Sequence, residues 1–415
     1  MDGMHCVVRD ILDNRNMDKY DILVVGGGIF GVSAAVELAR RKYKVGLVNP
    51  DSIPHHMAAS TDISKAVRME YATDTEYFRM VEICIERWHE WNELFGEELY
   101  HEVGYLMLCK DDLESEAQSY EKYSYEHLLA AGYSPNRLDA KSLKARFPAV
   151  NTAVYKDANY NPKAGYVESG LVVEKLVAYA RSLGVAVYEG QTAASFILEN
   201  GRLQGVKTKE GETFQCGHAL VAAGAHTPYL LPELQPYMKS TGHPVFWLKP
   251  DDPAHFMPPQ FAVFTADISN SGWYGFPFHP KQGIVKIAKH TNGLPLHPDK
   301  DDRQIMDAEV RDMRAFLDMT FPELVDAPLV FTRRCLYTDT LDGHFWIDNH
   351  PEIKGLSVST GGSGHGLKMA PLLGEMAADV VEGKEHQFSE RYRWRHLSGE
   401  TMQVEEARYV VDRKI

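Results

Sequence analysis

The chain has 415 residues, 44% of them hydrophobic, which is enough for two domains with sizeable cores. Its 44 basic and 58 acidic residues give a net charge of −14, which argues against a nucleic-acid-binding or membrane-binding surface. No apolar run approaches the roughly 20 residues that span a bilayer, and residues 1–19 lack the apolar core of a signal peptide. Five scattered cysteines without a C-x-x-C pair favour neither a disulfide framework nor a metal site. We therefore expect a soluble, cytoplasmic protein in which residues 1–19 form a short extension.

The chain is organised around an apolar strand, Asp21–Val25, that leads into a glycine turn and then a helix, Val32–Ala39. Gly26, Gly28 and Gly31 form the pattern G-x-G-x-x-G. These glycines permit the tight turn, the close approach of a pyrophosphate and the packing of helix on strand. The helix directs its N-terminal N–H groups at the phosphates. This context predicts a dinucleotide site.

A second strand, Lys44–Val48, is followed by Asn49, where a dinucleotide fold usually has an acidic residue for the ribose hydroxyls. The Asn49 amide can still bond a ribose, and NADP stays open on this point alone. The polar segment 51–72 lacks apolar periodicity. We interpret it as a loop that lines the cofactor, with a solvated loop as the alternative. Its polar residues are His55, His56, Ser60, Thr61, Asp62, Ser64, Lys65 and Arg68.

Apolar periodicity predicts the later elements in chain order. Helices are expected at Thr75–Leu94, Asp112–Ala131, Leu138–Phe147, from Ser169 onward, at Asp302–Thr320 and at Ala370–Glu382. Strands are expected at Gly104–Leu108 and Val185–Tyr188, then at Ala194–Leu198, Gly205–Thr208 and Thr213–Cys216, and finally as an apolar strand from His218 that closes on Ala223-Gly224-Ala225.

The three short strands form a β-meander, because Asn200-Gly201 and Glu210-Gly211 are strong hairpin turns. A meander followed by an apolar strand and Ala-Gly-Ala is typical of flavin two-domain folds. Nicotinamide-binding Rossmann domains normally continue without it. The pattern therefore favours FAD over NAD.

The aromatic-rich stretch 245–287 predicts a separate antiparallel sheet, and a second glycine loop, 361–366, precedes the helix Ala370–Glu382. We predict an α/β (α+β, two-domain) fold: a Rossmann-type FAD-binding domain with a β-meander, plus an antiparallel-sheet substrate domain. The FAD-binding domain is expected to comprise 18–97, 164–240 and 335–395, the substrate domain 98–163 and 241–334, and the tail 396–415.

Four blocks of the sequence carry a family resemblance: Val24–Gly31, Val221–Ala225, Cys335–Asp348 and Ser363–Lys368. Together they resemble the monomeric sarcosine oxidase family, which includes N-methyl-amino-acid, pipecolate, saccharopine and fructosyl-amino-acid oxidases. The resemblance extends over roughly residues 20–385. It implies an oxidase, generally monomeric, that has covalently bound FAD, a small amino-acid-like amine as substrate and dioxygen as acceptor.

The resemblance also implies roles for single residues. Cys335 matches the cysteine that carries the flavin, and Lys286 the lysine that activates oxygen. Arg68 and Lys368 match the residues that hold the substrate carboxylate. Tyr274 and His290 match residues that line the amine pocket of the family. For His290, a position on the protein surface is equally expected.

The candidate catalytic residues are therefore Lys286, Arg68, Lys368, Tyr274, His290 and Lys65. The candidate cofactor-binding residues are Gly26, Gly28, Ile29, Phe30, Gly31, Asn49, Ser60, Thr61, Val187, Ala223, Gly224, Cys335, Gly362, Gly364, His365, Gly366 and Lys368. Lys65 matches a lysine of the fructosyl-amino-acid oxidases, and Thr61 replaces a histidine of the sarcosine enzymes. These departures favour an amine bulkier than sarcosine.

The expected reaction oxidises a secondary amine to an imine, which water hydrolyses, while dioxygen becomes hydrogen peroxide. A flavin-dependent dehydrogenase or biosynthetic tailoring oxidase with another electron acceptor is the first alternative. An NAD(P)-dependent dehydrogenase and an inactive flavin-binding scaffold are more distant alternatives.

Overall fold

The computed structural model describes residues 19–398 and 407–408. The predicted extension 1–19, except Lys19, and the predicted tail from 399 onward, except 407–408, lie outside the described residues. Within them the strands are β1 (Tyr20–Val25), β2 (Val45–Asn49), β3 (Lys65–Val67), β4 (Tyr100–His101), β5 (Tyr105–Cys109), β6 (Asn136–Asp139), β7 (Asp157–Asn161), β8 (Gly165–Val167), β9 (Ala186–Glu189), β10 (Ala193–Glu199), β11 (Arg202–Thr208), β12 (Thr213–Val221), β13 (Met238–Leu248), β14 (Val263–Ala266), β15 (Trp273–His279), β16 (Ile284–Lys289), β17 (Leu294–Pro295), β18 (Leu329–Thr340), β19 (Trp346–Asn349) and β20 (Leu356–Thr360). The α-helices are α1 (Ile29–Arg40), α2 (Thr75–Phe95), α3 (Ser119–Ala130), α4 (Ala140–Arg146), α5 (Ser169–Ser182), α6 (Thr227–Leu230), α7 (Ile268–Ser271), α8 (Asp307–Thr320) and α9 (Ala370–Glu382).

The first sheet is the Rossmann-type sheet that the sequence predicts. Strands β9, β2, β1, β12 and β20 lie side by side and parallel, and β19 pairs antiparallel with β20. Residues of β1 alternate between two cores, as the two-residue period of a strand requires. Ile22 and Val24 pack among α1, α5 and α9, whereas Leu23 and Val25 pack on the side of the meander.

The predicted meander is present, but its last strand is longer than expected. Thr213–Cys216 and the apolar strand from His218 are one continuous element, β12. Its first residues pair antiparallel with β11, and its last residues pair parallel with β1 and β20. The Asn200-Gly201 turn has φ of 51° and 72°, as a tight hairpin requires.

The second sheet has the order β17-β13-β16-β15-β14-β5-β7-β6, with β18 also paired to β13. It is antiparallel, as predicted, except that β5 and β14 run parallel. β13 and β18 pair along almost their whole length, and they extend across the predicted domain limits at 240/241 and 334/335. Strands β13 and β18 therefore contain residues of both predicted domains. A third, small sheet is formed by β3, β8 and β4.

Three predicted helices begin later than the periodicity indicates, because an aspartate holds a local turn at each start. The side chain of Asp112 accepts from the N–H of Glu114, and α3 begins only at Ser119. Leu138, the predicted start of the next helix, instead belongs to strand β6, which ends at Asp139. The Asp139 side chain caps α4, which begins at Ala140. Likewise, the Asp302 side chain accepts from the N–H of Gln304, and α8 begins at Asp307 rather than at 302.

Across 19–398 and 407–408, no helix is both long enough and apolar enough to pass through a membrane.

Candidate active site

A cleft of about 900 Å³ opens at the carboxyl ends of β1, β2 and β12, which is where ligands bind in open α/β sheets. We call it the glycine-turn cleft. Its volume is near the upper end of the 300–1,000 Å³ usual for ligand and cofactor sites. The predicted cofactor-binding residues that line it are Gly26, Gly28, Ile29, Phe30, Asn49, Ser60, Ala223, Gly224, Gly362, Gly364 and Gly366.

The glycine turn has the conformation that its sequence predicts. Gly26 has φ of +111°, which favours glycine, and a Cβ there would lie 2.5 Å from the Ala222 carbonyl oxygen. Gly31 does not line the cleft. A Cβ on Gly31 would lie 1.9 Å from the carbonyl oxygen of Gly26, so its absence lets α1 pack directly on the turn. The first and third glycines of the motif are therefore needed for close backbone contact.

Asn49 lines the cleft and also makes hydrogen bonds within the protein. Its Oδ1 accepts from the N–H of Gly27 at 2.9 Å, and its Nδ2 donates to the Asp51 carbonyl at 2.7 Å. The side chain thus braces the glycine turn from within the protein while it lines the cleft. Ser60 has a similar part, because its Oγ accepts from the N–H of Ile29 at the start of α1.

The remaining cofactor candidates lie beside the glycine-turn cleft rather than in its wall: Gly31, Thr61, Val187, Cys335, His365 and Lys368. In place of Val187, the residues just after β9 line the cleft, namely Gln191–Ala194. Sequence reasoning missed these residues and the loop 298–303, although the end of a parallel strand is a recognisable signal.

The donors and acceptors of the glycine-turn cleft suit FAD. Its floor is backbone and small side chains, which admit a pyrophosphate, and α1 begins there. Ser359 also lines the cleft, and its buried Oγ has no hydrogen-bond partner among the described residues. Because a buried hydroxyl normally has a partner, this atom fits a bound polar group.

A second, smaller cavity of about 70 Å³ lies between the two sheets and shares walls with the glycine-turn cleft. We call it the cation-lined cavity. Residues Lys65, Tyr337, Gly364 and Leu367 line both. Its other walls are Ala66, Arg68, Tyr105, Val263, Thr265, Ile268, Tyr274, Phe276, His290, His365 and Lys368, with no carboxylate among them.

Arg68 and Lys368, which line the cation-lined cavity, both contact Tyr71. The guanidinium of Arg68 lies 4.9 Å from the ring centre, and the ammonium of Lys368 donates to the phenol oxygen at 2.9 Å. Both cations are buried, with exposed fractions of 7% and 5%. His365 bonds the same phenol oxygen through Nδ1 at 3.0 Å, which places it at this cavity rather than at the cleft. Sequence reasoning missed Tyr71.

The aromatic wall includes Tyr274, which the family resemblance matches to a residue that lines the amine pocket. Tyr274 lies on β15, and its phenol oxygen is 3.5 Å from that of Tyr337 on β18. Burial raises the pKa of both phenols, so they stay protonated. His290 lies in the wall and is buried, which decides between its two expected positions.

Lys286 lies behind the cavity wall as a buried cation, not as a surface lysine of the strand edge. Its ammonium is 2.6 Å from Asp62, donates to the Ser64 carbonyl at 2.5 Å and lies 4.4 Å from the centre of the Phe276 ring. Asp62 is the important residue that sequence reasoning left out of the site, although it is part of the segment Asp62-Ile63-Ser64-Lys65. Segment 51–72 is therefore not a solvated loop, because its central residues are buried.

Lys65 lies between the Lys286–Asp62 pair and Cys335. Its ammonium lies 3.8 Å from Asp62 and 3.8 Å from the sulfur of Cys335. Cys335 is buried at 1% exposure in the middle of β18. The cation, the aspartate and the cysteine therefore meet where the two cavities adjoin.

Burial and ion pairing act in opposite directions on these groups. Burial lowers the pKa of Lys286 to about 8, although Asp62 opposes the shift. Burial alone would raise the pKa of Asp62, but Lys286 and Lys65 lower it to about 2. Asp62 is thus ionised at neutral pH, and the charge of Lys286 depends on it.

Known proteins are similar in sequence to this chain over most of its length. L-saccharopine oxidase of Schizosaccharomyces pombe is 27% identical over 90% of this chain and 93% of the relative. Monomeric sarcosine oxidase of a Bacillus species is 26% identical over 89% of this chain and 94% of the relative. These relatives confirm the resemblance that the sequence motifs carry.

Solved structures share the fold. Amadoriase I of Aspergillus fumigatus, a fructosyl amine:oxygen oxidoreductase, superimposes with a TM-score of 0.79 at 23% identity, covering 95% of this chain and 94% of that chain. The L-proline dehydrogenase of P. horikoshii has a TM-score of 0.79 at 22% identity, covering 91% and 97%. The family described as DAO, FAD dependent oxidoreductase, matches residues 21–380. That span includes both glycine loops and every candidate catalytic residue, and the chain belongs to this family of FAD-dependent oxidoreductases.

Proposed function

We propose that the protein is an FAD-dependent oxidase of amino acids with a secondary, N-substituted amine. The observation that carries this proposal is the pair of buried cations, Arg68 and Lys368, in a cavity that adjoins the glycine-turn cleft and has no carboxylate among its described wall residues. Such a cavity favours an anionic ligand beside the cofactor. The relatives named for saccharopine and sarcosine oxidation support a secondary amine.

The cofactor is FAD, and we propose that it is attached to the sulfur of Cys335. The cysteine is placed where the two cavities adjoin, next to the shared wall residues Tyr337 and Lys65. The ammonium of Lys65 lies 3.8 Å from this sulfur. When bound, FAD supplies the two-electron acceptor for oxidation of the amine and returns the electrons to dioxygen.

The chain's own residues bind and orient the amine. Arg68 offers a bidentate fork to the substrate carboxylate, and Lys368 adds a point charge. Tyr274 and Phe276 cover the other side of the cavity with aromatic rings. Among the described residues of the wall, no carboxylate is available as a general base. We propose that the amine reacts in its neutral form. The imine product is then hydrolysed by water.

Lys286 is proposed to act on oxygen rather than on the amine. It is a fixed, buried ammonium whose charge is maintained by Asp62. A preorganised cation in a dry site stabilises negative charge that develops on dioxygen. The product of this step would be hydrogen peroxide.

The test is anaerobic mixing of the purified holoprotein with N-methyl, cyclic and N-carboxyalkyl amino acids, followed by admission of air. We expect bleaching of the flavin absorbance by at least one class of amine, and then one equivalent of peroxide for each amine oxidised. Bleaching without peroxide would replace the oxidase by a dehydrogenase. A flavin that none of these amines bleaches would contradict the proposal.

A further inference from the structure

Ala407, one of two described residues near the C-terminus, lies close to walls of the cation-lined cavity. Ala407 is completely buried, with an exposed fraction of 0%. It lies in the same apolar cluster as Tyr105, Val263, Ile268 and Phe276. All four of these residues line the cavity. Ala407 therefore packs against the group of side chains that gives the cavity its size.

The next residue, Arg408, forms a buried ion pair beside this contact. The two terminal nitrogens of Arg408 lie 2.8 Å and 2.9 Å from the carboxylate oxygens of Asp339, and one of them also donates to the Ser363 carbonyl at 2.7 Å. Asp339 lies on β18, four positions after Cys335, and Ser363 belongs to the second glycine loop. Such a bidentate pair has a defined geometry as well as charge. We call Ala407 and Arg408 the C-terminal clasp.

The clasp is ionised at neutral pH. Burial raises the pKa of Asp339, but Arg408 more than offsets this effect and the pKa lies below its ordinary value. The carboxylate also accepts from the hydroxyl of Thr241 at 2.5 Å. Side-chain exposure is only 9% for Arg408 and 3% for Asp339, so solvent screens the pair weakly.

With the clasp in place, the cation-lined cavity is small. Its volume of about 70 Å³ is far below the 300–1,000 Å³ of usual ligand sites. An amino acid with a bulky N-substituent needs more space. The side chains that limit this space include four that share an apolar cluster with Ala407.

We propose that Ala407 and Arg408 are specificity-determining residues, which hold the cavity walls inward until the clasp opens for an N-substituted amino acid. The inference rests on the proposed function, because it takes the carboxylate of such an amine as the ligand of the cavity. Small carboxylates enter with the clasp closed. Bulky carboxylates enter only with the clasp open, so their rate of entry depends on the Arg408–Asp339 pair.

The test compares Arg408→Gln, the double variant Arg408→Gln/Asp339→Asn, and Arg395→Gln in the holoprotein. The double variant removes both charges and leaves no buried charge unpaired, which protects the fold if the single variant is unstable. Arg395 is the matched control. It also forms a bidentate pair, with Asp342 at 2.6 Å and 2.9 Å, but neither residue lines the cation-lined cavity.

Two measurements decide the outcome. Stopped-flow flavin absorbance gives the association rates of acetate and of 3-phenylpropionate, and hydrogen exchange reports on the amides of β14 and β15. With the clasp variants we expect about a tenfold faster association of 3-phenylpropionate, the factor for one lost charge-assisted hydrogen bond. Acetate should change less than twofold, exchange in β14 and β15 should be faster, and Arg395→Gln should match the wild type.

Equal effects on both carboxylates would overturn the proposal, and so would faster exchange without a change in association, since the clasp would then be purely structural. Unchanged rates and unchanged exchange would overturn it as well. A protein that binds no FAD would instead contradict the proposed function, and hydrogen exchange would still test whether the clasp holds the walls.

Discussion

The Asp62 carboxylate lies 2.6 Å from the Lys286 ammonium, and the two side chains are 0% and 1% exposed. One buried carboxylate thus maintains a charge that burial opposes. The balance leaves the pKa of Lys286 at about 8. A single substitution at Asp62 should therefore shift the pKa of Lys286.

Asp62→Asn removes the group that favours the charged form of Lys286. We expect the pKa of Lys286 to fall below about 8, because burial then acts with less opposition. In the proposed reaction with oxygen the ammonium is the active form, so we expect the rate to decline as pH rises through this pKa. The variant should show the decline at lower pH. The pH profile of flavin reoxidation in stopped flow measures the shift, and an unchanged profile would remove Asp62 from the oxygen site.

Lys286→Met separates reaction with oxygen from reaction with the amine. We expect oxygen consumption to fall about a hundredfold, as when one preorganised charge-stabilising group is lost. Anaerobic bleaching by amine and turnover with an artificial acceptor should be retained. Lys289→Met is the control, because that lysine is on the same strand but pairs with Asp312. Equal losses in both half-reactions would favour the dehydrogenase alternative.

Cys335→Ala tests covalent attachment of the flavin. Wild-type protein precipitated with acid should give a yellow pellet, because the flavin remains bonded to the sulfur. The variant should give a white pellet and a yellow supernatant. Cys216→Ala is the control, since that cysteine is also buried but lies in the first sheet at β12. A yellow pellet from Cys335→Ala would contradict this assignment.

Lys368→Met should weaken binding of the substrate carboxylate. Loss of one charge-assisted hydrogen bond predicts a rise of about 10- to 100-fold in the dissociation constant, with a smaller change in the maximal rate. The amide of the same amino acid provides the comparison, because it has no negative charge. Wild type and variant should bind it alike. If the amide loses as much affinity as the acid, Lys368 does not recognise charge.

Gly31→Ala tests the close contact in the glycine turn. A Cβ at this position would lie 1.9 Å from the Gly26 carbonyl, so α1 must move. We expect a loss of about 1–3 kcal/mol in the free energy of unfolding, as for overpacking elsewhere, and weaker retention of FAD. Chemical denaturation and flavin content measure the two effects. Gly217→Ala should be tolerated, since its Cβ would find only an ordinary contact at 3.4 Å.

The parts of the fold that the sequence predicted are those set by local pattern. Alternation along Tyr20–Val25, the glycine spacing after it and the Asn200-Gly201 turn each determine their own geometry. The helix starts were predicted too early, because the aspartates at 112, 139 and 302 bind nearby N–H groups in turns that periodicity does not reveal.

The sequence predicted individual residues of the site, but it did not predict the contacts between them. The candidate lysines and Arg68 were recognised through motifs, and the structure brings them together. Tyr71, Asp62 and the C-terminal clasp were not foreseen, since their importance comes from partners distant in sequence. Asn49 shows the same limit, because its bond to Gly27 depends on how β2 lies beside β1.

The four residues common to the two cavities, Lys65, Tyr337, Gly364 and Leu367, have a thermodynamic consequence. Whatever positions these side chains for one ligand also positions them for the other. Filling the glycine-turn cleft should therefore change the affinity of the cation-lined cavity for a carboxylate, and the carboxylate should change the affinity for the nucleotide by the same factor. The apoprotein should then differ from the holoprotein in its affinity for the substrate carboxylate as well as in its chemistry.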